Sequence, residues 1–162
     1  MKQKVLNILD SLHIPYEYEN HPAAYTMEEI EALHLTRPNE AIAKNLFLRD
    51  GSGKRHFLVL AAGDKPVDLK ALRQTIGSSR LSFASEERLM KYLKVTKGSV
   101  SPLGILNDES LNVEVFIDED LKGSPCIGVH PNDNTATVWI SCDDLEQVIR
   151  HHGNPVAYIP VC

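Results

Sequence analysis

Three segments of this 162-residue sequence contain residue types that could do chemistry. The first is Lys44, inside the apolar stretch of residues 41–48. The second is a glycine and proline loop over residues 98–102, and the third is a polar segment over residues 128–132 that contains His130. An ammonium group, an imidazole and closely approaching loop backbone can bind an anion or polarise a carbonyl group. These three segments are therefore the candidate site.

Lys44 is expected on the buried face of a strand. The period of two in a strand over this stretch places Lys44 on the same face as Leu46 and Leu48. A lysine is rarely buried without a partner, because stripping its ammonium of water is costly unless an anion or several acceptors replace the hydration. Two interpretations stay open: Lys44 binds a ligand, or it lies on an edge strand and extends to solvent.

Positive charge is concentrated in residues 70–97, although the whole chain has a formal net charge of −5. The net charge argues against a protein that coats nucleic acid in general. The segment nevertheless contains seven basic and two acidic side chains. Four of the basic residues recur every third position just before the glycine and proline loop: Arg88, Lys91, Lys94 and Lys97. They are either a solvated helix face or a basic strip that guides a phosphate-bearing ligand to the loop.

Length and composition indicate one ordinary domain, spanning residues 1–162. With 43% hydrophobic residues the chain can bury a sizeable core. Its first residues are too polar for a signal peptide and no apolar run approaches the length of a membrane span, so we expect a cytoplasmic protein without membrane contact. The three cysteines are widely spaced, which favours neither a disulfide framework nor a zinc site.

Spacing excludes several familiar site types. The sequence contains no G-x-x-x-x-G-K-[ST] loop and no G-x-G-x-x-G, so nothing favours a bound nucleoside triphosphate or dinucleotide. It also lacks the G-x-S-x-G elbow that presents a serine nucleophile. The adjacent histidines at residues 151 and 152 fall at a predicted helix end, where such side chains are ordinary. We therefore expect no metal and no cofactor.

The predicted elements alternate between helices and strands. Apolar spacing, with Asp68, Ser85 and Ser141 as caps and a capping box at residues 26–29, predicts helices. These helices lie near residues 5–12, 26–33, 69–76, 86–93 and 142–152. Strands are predicted near residues 16–18, 42–48, 57–62, 113–117, 125–129, 135–140 and 156–159, and turn residues join two pairs of them as hairpins. The fold class is mixed α/β.

Three motifs together resemble one family. They are Ala43-Lys44-Asn45-Leu46, Gly98-x-x-x-Pro102 and Gly128-x-His130-Pro131-x-x-Asn134, and they are similar to the signature of the YbaK/ProX aminoacyl-tRNA editing domains. Such domains occur freestanding and inside bacterial prolyl-tRNA synthetases. Shorter motifs resemble the freestanding ProX branch, which clears alanine from tRNA(Pro), whereas the YbaK branch clears cysteine. Those motifs are His21-Pro22, Thr26-x-Glu28-Glu29 and Asn107-Asp108.

The resemblance implies a mixed, partly barrel-like β-sheet surrounded by helices. It also implies a trans-editing hydrolase that deacylates mischarged tRNA(Pro), with Ala-tRNA(Pro) as the expected substrate and Cys-tRNA(Pro) as the alternative. The catalytic residues it implies are Lys44, Asn45, Gly98 and His130. The substrate-binding residues it implies are Thr26, Ile30, Ser101, Pro102 and Gly128. The partners would be the acceptor end of tRNA(Pro) and, as a further candidate, prolyl-tRNA synthetase.

The chemistry of an aminoacyl ester suits these residue types. The ester is already activated, so its hydrolysis needs a held carbonyl, a placed water and a stabilised oxyanion more than a strong nucleophile. A glycine at position 98 lets loop backbone approach the scissile carbon, and Pro102 stiffens the loop. His130 either orients the substrate or the water, or is a structural histidine. No carboxylate in the motifs stands out as a general base.

Two other classes of function stay open on the sequence alone. The chain could bind an aminoacyl-tRNA or a nucleotide without hydrolysing it. It could also be a regulatory subunit whose basic helices dock an acidic protein partner. A deacylation assay separates all three, because only an editing enzyme shortens the lifetime of the ester.

Overall fold

The computed structural model describes residues 2–22, 40–63, 65–133 and 135–161. In these residues, the helices are α1 (Lys2–Ser11), α2 (Leu69–Ile76), α3 (Glu86–Tyr92) and α4 (Cys142–His152). The strands are β1 (Glu17–Asn20), β2 (Glu40–Ala41), β3 (Ala43–Arg49), β4 (His56–Ala62), β5 (Ser82–Phe83), β6 (Val113–Asp118), β7 (Cys126–Val129), β8 (Ala136–Ile140) and β9 (Val156–Ile159). Short 3₁₀ segments cover Lys97–Ser99, Pro102–Asn107 and Glu119–Leu121.

The strands form two sheets. One has the order β1-β8-β7-β2 and the other the order β5-β3-β4-β6-β9. Both predicted hairpins, β3–β4 and β7–β8, are antiparallel pairs. Strands β4, β6 and β9 pair in parallel, as do β2 and β7. The chain passes from the first sheet to the second at Ile42, between β2 and β3. Mixed sheets with helices around them confirm the predicted fold class.

Alternate side chains of β3 and β4 enter two separate apolar clusters. The larger cluster joins Phe47 and Leu60 to residues of the other sheet, such as Val138, and to helices α1 and α4. The smaller cluster joins Leu48 and neighbouring β4 residues to Leu72 of α2. Sheet geometry therefore gives β3 two buried faces, because successive side chains point to opposite sides of a strand.

The predicted helix caps are confirmed where the structure describes them. The Asp68 carboxylate accepts the Lys70 N–H at the start of α2, and Gly77 ends that helix with φ 78°. The hydroxyls of Ser85 and Ser141 cap α3 and α4 in the same way. Each cap satisfies a backbone N–H that has no partner inside the helix. The predicted capping box at residues 26–29 lies outside the described residues.

Candidate functional site

Strand β3 presents Lys44 and Asn45 on opposite faces. Lys44 lies opposite Ala61 on the face of Leu46, as the period of two predicts. Asn45 lies opposite Leu60 and therefore faces the larger cluster. Lys44 and Asn45 are neighbours in the first motif but lie on opposite faces of β3. They therefore cannot both contact the same small group of a ligand.

The Lys44 ammonium is half-buried and donates a hydrogen bond to the Lys65 carbonyl oxygen. Lys65 is itself anchored, since its ammonium lies 2.8 Å from the Asp118 carboxylate. The hydrogen bonds that the Lys65 ammonium donates to the Asp118 and Asp120 carboxylates raise the pKa of Lys65. In this arrangement the partner of Lys44 is a backbone carbonyl, which engages one of three ammonium donors. Lys44 does not line the cavity beside Asn45.

A cavity of about 570 Å³ opens beside Asn45. Phe47 lines it from β3, Phe83 from β5, and Lys97 and Val100 from the segment that contains Gly98. The side-chain oxygen of Asn45, Oδ1, is buried and has no hydrogen-bond partner among the residues that the structure describes. Phe83 leaves 63% of its surface exposed, which is unusual for a phenylalanine. The cavity therefore combines an unpaired acceptor, an open aromatic face and a cation.

The glycine and proline loop reaches this cavity at its start. Lys97–Ser99 form a 3₁₀ turn with Gly98 at its centre. Ser101 is fully buried, and its hydroxyl accepts the Leu103 N–H to cap the next 3₁₀ segment, in which Pro102 is the first residue. Ser101 and Pro102 therefore set the course of the loop and do not line the cavity.

His130 is held as a neutral imidazole. Its Nδ1 lies 3.0 Å from the Ala136 carbonyl oxygen, so Nδ1 carries the proton and Nε2 has a lone pair to accept one. Burial, together with the nearby His21, lowers the pKa of His130, while the bond to Ala136 opposes that shift. His21 is bound to the same strand, because its Nε2 lies 2.8 Å from the Thr137 hydroxyl. The sequence motif His21-Pro22 is thus tied to the strand that orients His130.

The second and third motifs meet through Asn132. This residue has φ 63°, and its side-chain amide donates to the Leu103 carbonyl, directly after Pro102, at 3.2 Å.

Gly128 of the third motif lies against a tryptophan. A methyl group added at Gly128 would lie 3.2 Å from Nε1 of Trp139, which donates to the Glu40 carboxylate. Gly128 therefore permits close packing of Trp139 of β8 against β7.

The four basic residues before the loop do not form one helical face. Helix α3 ends at Tyr92, so Lys94 and Lys97 lie beyond it, and Lys94 has φ 55°. Arg88 is half-buried and donates to the Gly53 carbonyl at 3.0 Å. Lys91, Lys94 and Lys97 are exposed. The predicted single helical face is therefore wrong. The three lysines are exposed, and Arg88 is directed to the β3–β4 turn.

His56 is a residue of this region that the sequence did not single out. It is fully buried at the start of β4, and its Nε2 lies 2.9 Å from a guanidinium nitrogen of Arg88. Burial, and next the Arg88 charge, lowers the pKa of His56. A lone histidine at the start of a strand carries no pattern in the sequence that would indicate this contact.

The remaining predictions concern Thr26 and Ile30, a metal site, a membrane span and the cysteines. Thr26 and Ile30 lie outside the described residues. Across residues 2–22, 40–63, 65–133 and 135–161, no group of three metal-ligating side chains comes together. In the same ranges no helix is both long and apolar enough to cross a membrane. Cys126 and Cys142 form no disulfide in the ranges that the structure describes.

Comparison with known proteins connects these motifs to a family. The family model of the aminoacyl-tRNA editing domain matches residues 21–148. The prolyl-tRNA editing protein ProX of Acetoanaerobium sticklandii is 52% identical over 94% of this chain and 93% of its own. The prolyl-tRNA synthetase associated domain-containing protein 1 of Danio rerio is 33% identical over 90% of this chain and 79% of its own.

A solved structure shares the fold. The crystal structure of a candidate trans-editing enzyme for prolyl tRNA synthetase superposes with a TM-score of 0.70 at 21% identity and covers 99% of this chain and 97% of that one. The three motifs first read in the sequence all fall within the matched residues 21–148. The chain belongs to the family of YbaK/ProX-type aminoacyl-tRNA editing domains.

Proposed function

We propose that this chain hydrolyses Ala-tRNA(Pro) and spares Pro-tRNA(Pro). Family membership and 52% identity to a prolyl-tRNA editing protein make the chain an aminoacyl-tRNA deacylase that edits mischarged tRNA(Pro). The observation that supports a substrate site is the cavity beside Asn45, with its unpaired carbonyl oxygen, open aromatic face and lysine. Prolyl-tRNA synthetase as a partner and a cytoplasmic location are parts of the same proposal.

The proposed reaction is attack of water on the ester carbonyl carbon. A bond forms between the water oxygen and that carbon, and the tetrahedral oxyanion then collapses. The ester bond to the terminal ribose breaks, and the proton lost by the water reaches the ribose oxygen. Alanine and uncharged tRNA leave. Since the ester is activated, holding the oxyanion and placing the water supply most of the rate enhancement.

The cavity has features that suit the 3′-terminal adenosine. Exposed aromatic rings stack on unpaired bases, and Phe83 provides such a ring at the cavity edge. Lys97 places a positive charge beside it for the terminal phosphate. The side-chain oxygen of Asn45 can accept a hydrogen bond from a ribose hydroxyl or from the α-ammonium group of the amino acid. Either bond would satisfy an acceptor that has no partner among the described residues.

Backbone and histidine supply the remaining functions in the proposal. The N–H groups of the turn around Gly98 stabilise the oxyanion, and the tRNA 2′-hydroxyl helps to place the water. His130 is neutral and keeps the Nε2 lone pair, so it can orient the water or the substrate amino group. Lys44 does not line this cavity, so in the proposal the two ammonium donors that the Lys65 carbonyl does not use contact a part of the terminal nucleotide that extends beyond it.

Discrimination is proposed to work by excluding bulk. Attraction separates side chains that differ by one methylene by only about 1–3 kcal/mol, whereas steric overlap with a larger ring misplaces the ester. Thr26 and Ile30 are the proposed walls of the amino-acid pocket. Replacing Ile30 with alanine should therefore raise the rate on bulkier aminoacyl groups more than the rate on alanine.

The proposal is tested with tRNA(Pro) charged in turn with alanine, cysteine, serine or proline. Single-turnover rates at saturating protein compare the chemical step alone. The expected order puts alanine first and leaves the proline ester at its spontaneous rate. Faster hydrolysis of Cys-tRNA(Pro) or Pro-tRNA(Pro) would refute the assignment of alanine, and binding without any hydrolysis would refute the enzyme.

A further inference from the structure

Two arginines meet over the turn of the β3–β4 hairpin. Arg49 donates to the Asp50 carbonyl at 3.1 Å and Arg88 donates to the Gly53 carbonyl at 3.0 Å. A methyl group built on Gly53 would lie 2.9 Å from Nη2 of Arg88 and 3.1 Å from Nη2 of Arg49. Because both nitrogens lie so near one point, they are at most about 6 Å apart. The two guanidinium groups therefore share one small region of space.

No carboxylate neutralises this arginine pair in the part of the chain that the structure describes. The nearest acid in the turn, Asp50, directs its carboxylate to the Ser52 hydroxyl and to the N–H groups of Lys54 and Arg55. Like charges at this separation repel each other, so the arrangement is unfavourable in the free protein. An anion between the two groups would relieve that repulsion.

His56 fixes the direction of Arg88. Its Nε2 lies 2.9 Å from Arg88 Nη1, and a nitrogen can accept from a guanidinium only while the imidazole is neutral. The Tyr92 ring packs against the imidazole with centroids 4.0 Å apart, and His56 is fully buried. Arg88 is therefore held in place before any ligand arrives, which lowers the entropy cost of binding.

We propose that Arg49 and Arg88 together bind one backbone phosphate of the tRNA acceptor arm. Guanidinium groups match phosphate geometry, since each presents parallel N–H donors to two oxygens. Arg49 lies four residues from Asn45 along β3, or about 13 Å at the rise of an extended strand. Stacked nucleotides advance about 3.4 Å each, so this distance places the phosphate about four nucleotides from the esterified 3′ end.

This inference rests on the proposed function, because the count of nucleotides starts from an ester bound beside Asn45. The phosphate contact itself is tested without any ester. Uncharged tRNA(Pro) is titrated with the wild-type protein, with Arg49→Gln, with Arg88→Gln and with the double variant, by fluorescence anisotropy at several salt concentrations. Arg150→Gln is the matched control, since it removes the same charge from α4, where Arg150 pairs with Glu146.

Each single variant should weaken binding about tenfold, the loss expected for one charge-assisted hydrogen-bonded contact. Because both arginines share one phosphate, the double variant should lower the slope of log affinity against log salt by only about 0.7–0.9. Arg150→Gln should bind like the wild type. If Arg88→Gln disturbs the packing of His56, the Arg49→Gln variant alone decides the test. Among the described residues, the side chain of Arg49 bonds only to turn carbonyls, so its removal leaves the packing around His56 intact.

Three outcomes overturn the inference. One is wild-type affinity and an unchanged salt slope in the double variant. The second is an equal loss in Arg150→Gln. The third is binding of inorganic phosphate at the pair that leaves the affinity for tRNA unchanged at constant ionic strength, which would make the pair a site for free phosphate. A chain that binds uncharged tRNA through the pair but hydrolyses no ester would instead refute the proposed function alone.

Discussion

Replacing Asn45 with leucine should stabilise the protein and abolish most of its activity. The side-chain oxygen of Asn45 is buried without a partner in the described part of the chain, and an unsatisfied buried polar group costs about 1–3 kcal/mol. Leucine keeps the branching of the side chain and places methyl groups beside Leu60 and Phe47. We expect a gain of about 1 kcal/mol in the free energy of unfolding, which raises Tm by about 2–4 °C in a domain of this size.

The same change should lower the deacylation of Ala-tRNA(Pro) by up to about 10²-fold, because a hydrogen bond to a charged group such as the α-ammonium is worth about 1.5–3 kcal/mol. A residue that stabilises the fold when it is removed, yet is needed for the reaction, is the expected signature of a functional polar group. Thermal unfolding and single-turnover deacylation on the same preparations measure both effects.

Asn107 provides the matched control for this substitution. Its side-chain amide donates to the Leu93 carbonyl at 2.8 Å, and its carbonyl oxygen accepts from Lys4 at 3.3 Å. Asn107→Leu leaves those groups unpaired and should destabilise the protein by about 1–3 kcal/mol. If Asn45→Leu lowered Tm as Asn107→Leu does, or left deacylation at the wild-type rate, the assignment of the cavity would be refuted.

Three further predictions concern charge. Lys44→Ala should lose most deacylation while the protein stays folded, and Lys44→Arg should not restore it, because the planar fork of arginine differs from an ammonium; wild-type rates in the folded alanine variant would remove Lys44 from the mechanism. Neutralising Lys91, Lys94 and Lys97 together should weaken tRNA binding and flatten its salt dependence while sparing the single-turnover rate at saturating protein; an unchanged slope would show a merely solvated surface. His56 has a lowered pKa in the folded state, so the unfolded chain binds its proton more readily. The free energy of unfolding should therefore fall as the pH drops below about 6.5, the ordinary pKa of histidine, and denaturant titrations that show no such fall would contradict a buried neutral His56.

The local structure was largely predictable because each element carries its own signal. Asp68, Ser85 and Ser141 cap helices as their residue types predict, and the turn residues between β3 and β4 join an antiparallel hairpin. Alternation along β3 correctly placed Lys44 with Leu46. These features depend on a few neighbouring residues, which a sequence displays directly.

The arrangement of the elements was less predictable, because it depends on contacts between distant residues. The two-residue strands β2 and β5 are too short to show a period, and the parallel pairing of β4 with β6 has no local signal. The regular spacing of basic residues suggested one helical face, but α3 ends at Tyr92. A turn in the chain therefore separates residues that a continuous helix would have aligned.

The sequence names the residues of the candidate site, whereas only the fold gives their geometry. The motifs containing Asn45 and Gly98 meet at one cavity, and Asn132 connects the third motif to the second. Sequence reasoning treated Lys44 and Asn45 as one motif, whereas the strand directs them to opposite faces. The arginine pair was missed because its two members come from different elements and meet only in the folded chain.

The most direct test of hydrolysis at the acyl carbon is deacylation of Ala-tRNA(Pro) in water enriched in oxygen-18. If water attacks the ester carbonyl carbon, the released alanine carries one labelled oxygen in its carboxylate and the tRNA carries none. The labelled alanine should appear at the rate at which the ester disappears, and a parallel sample of Pro-tRNA(Pro) should keep its ester. Unlabelled alanine, label in the tRNA, or alanine attached to the protein would contradict the mechanism.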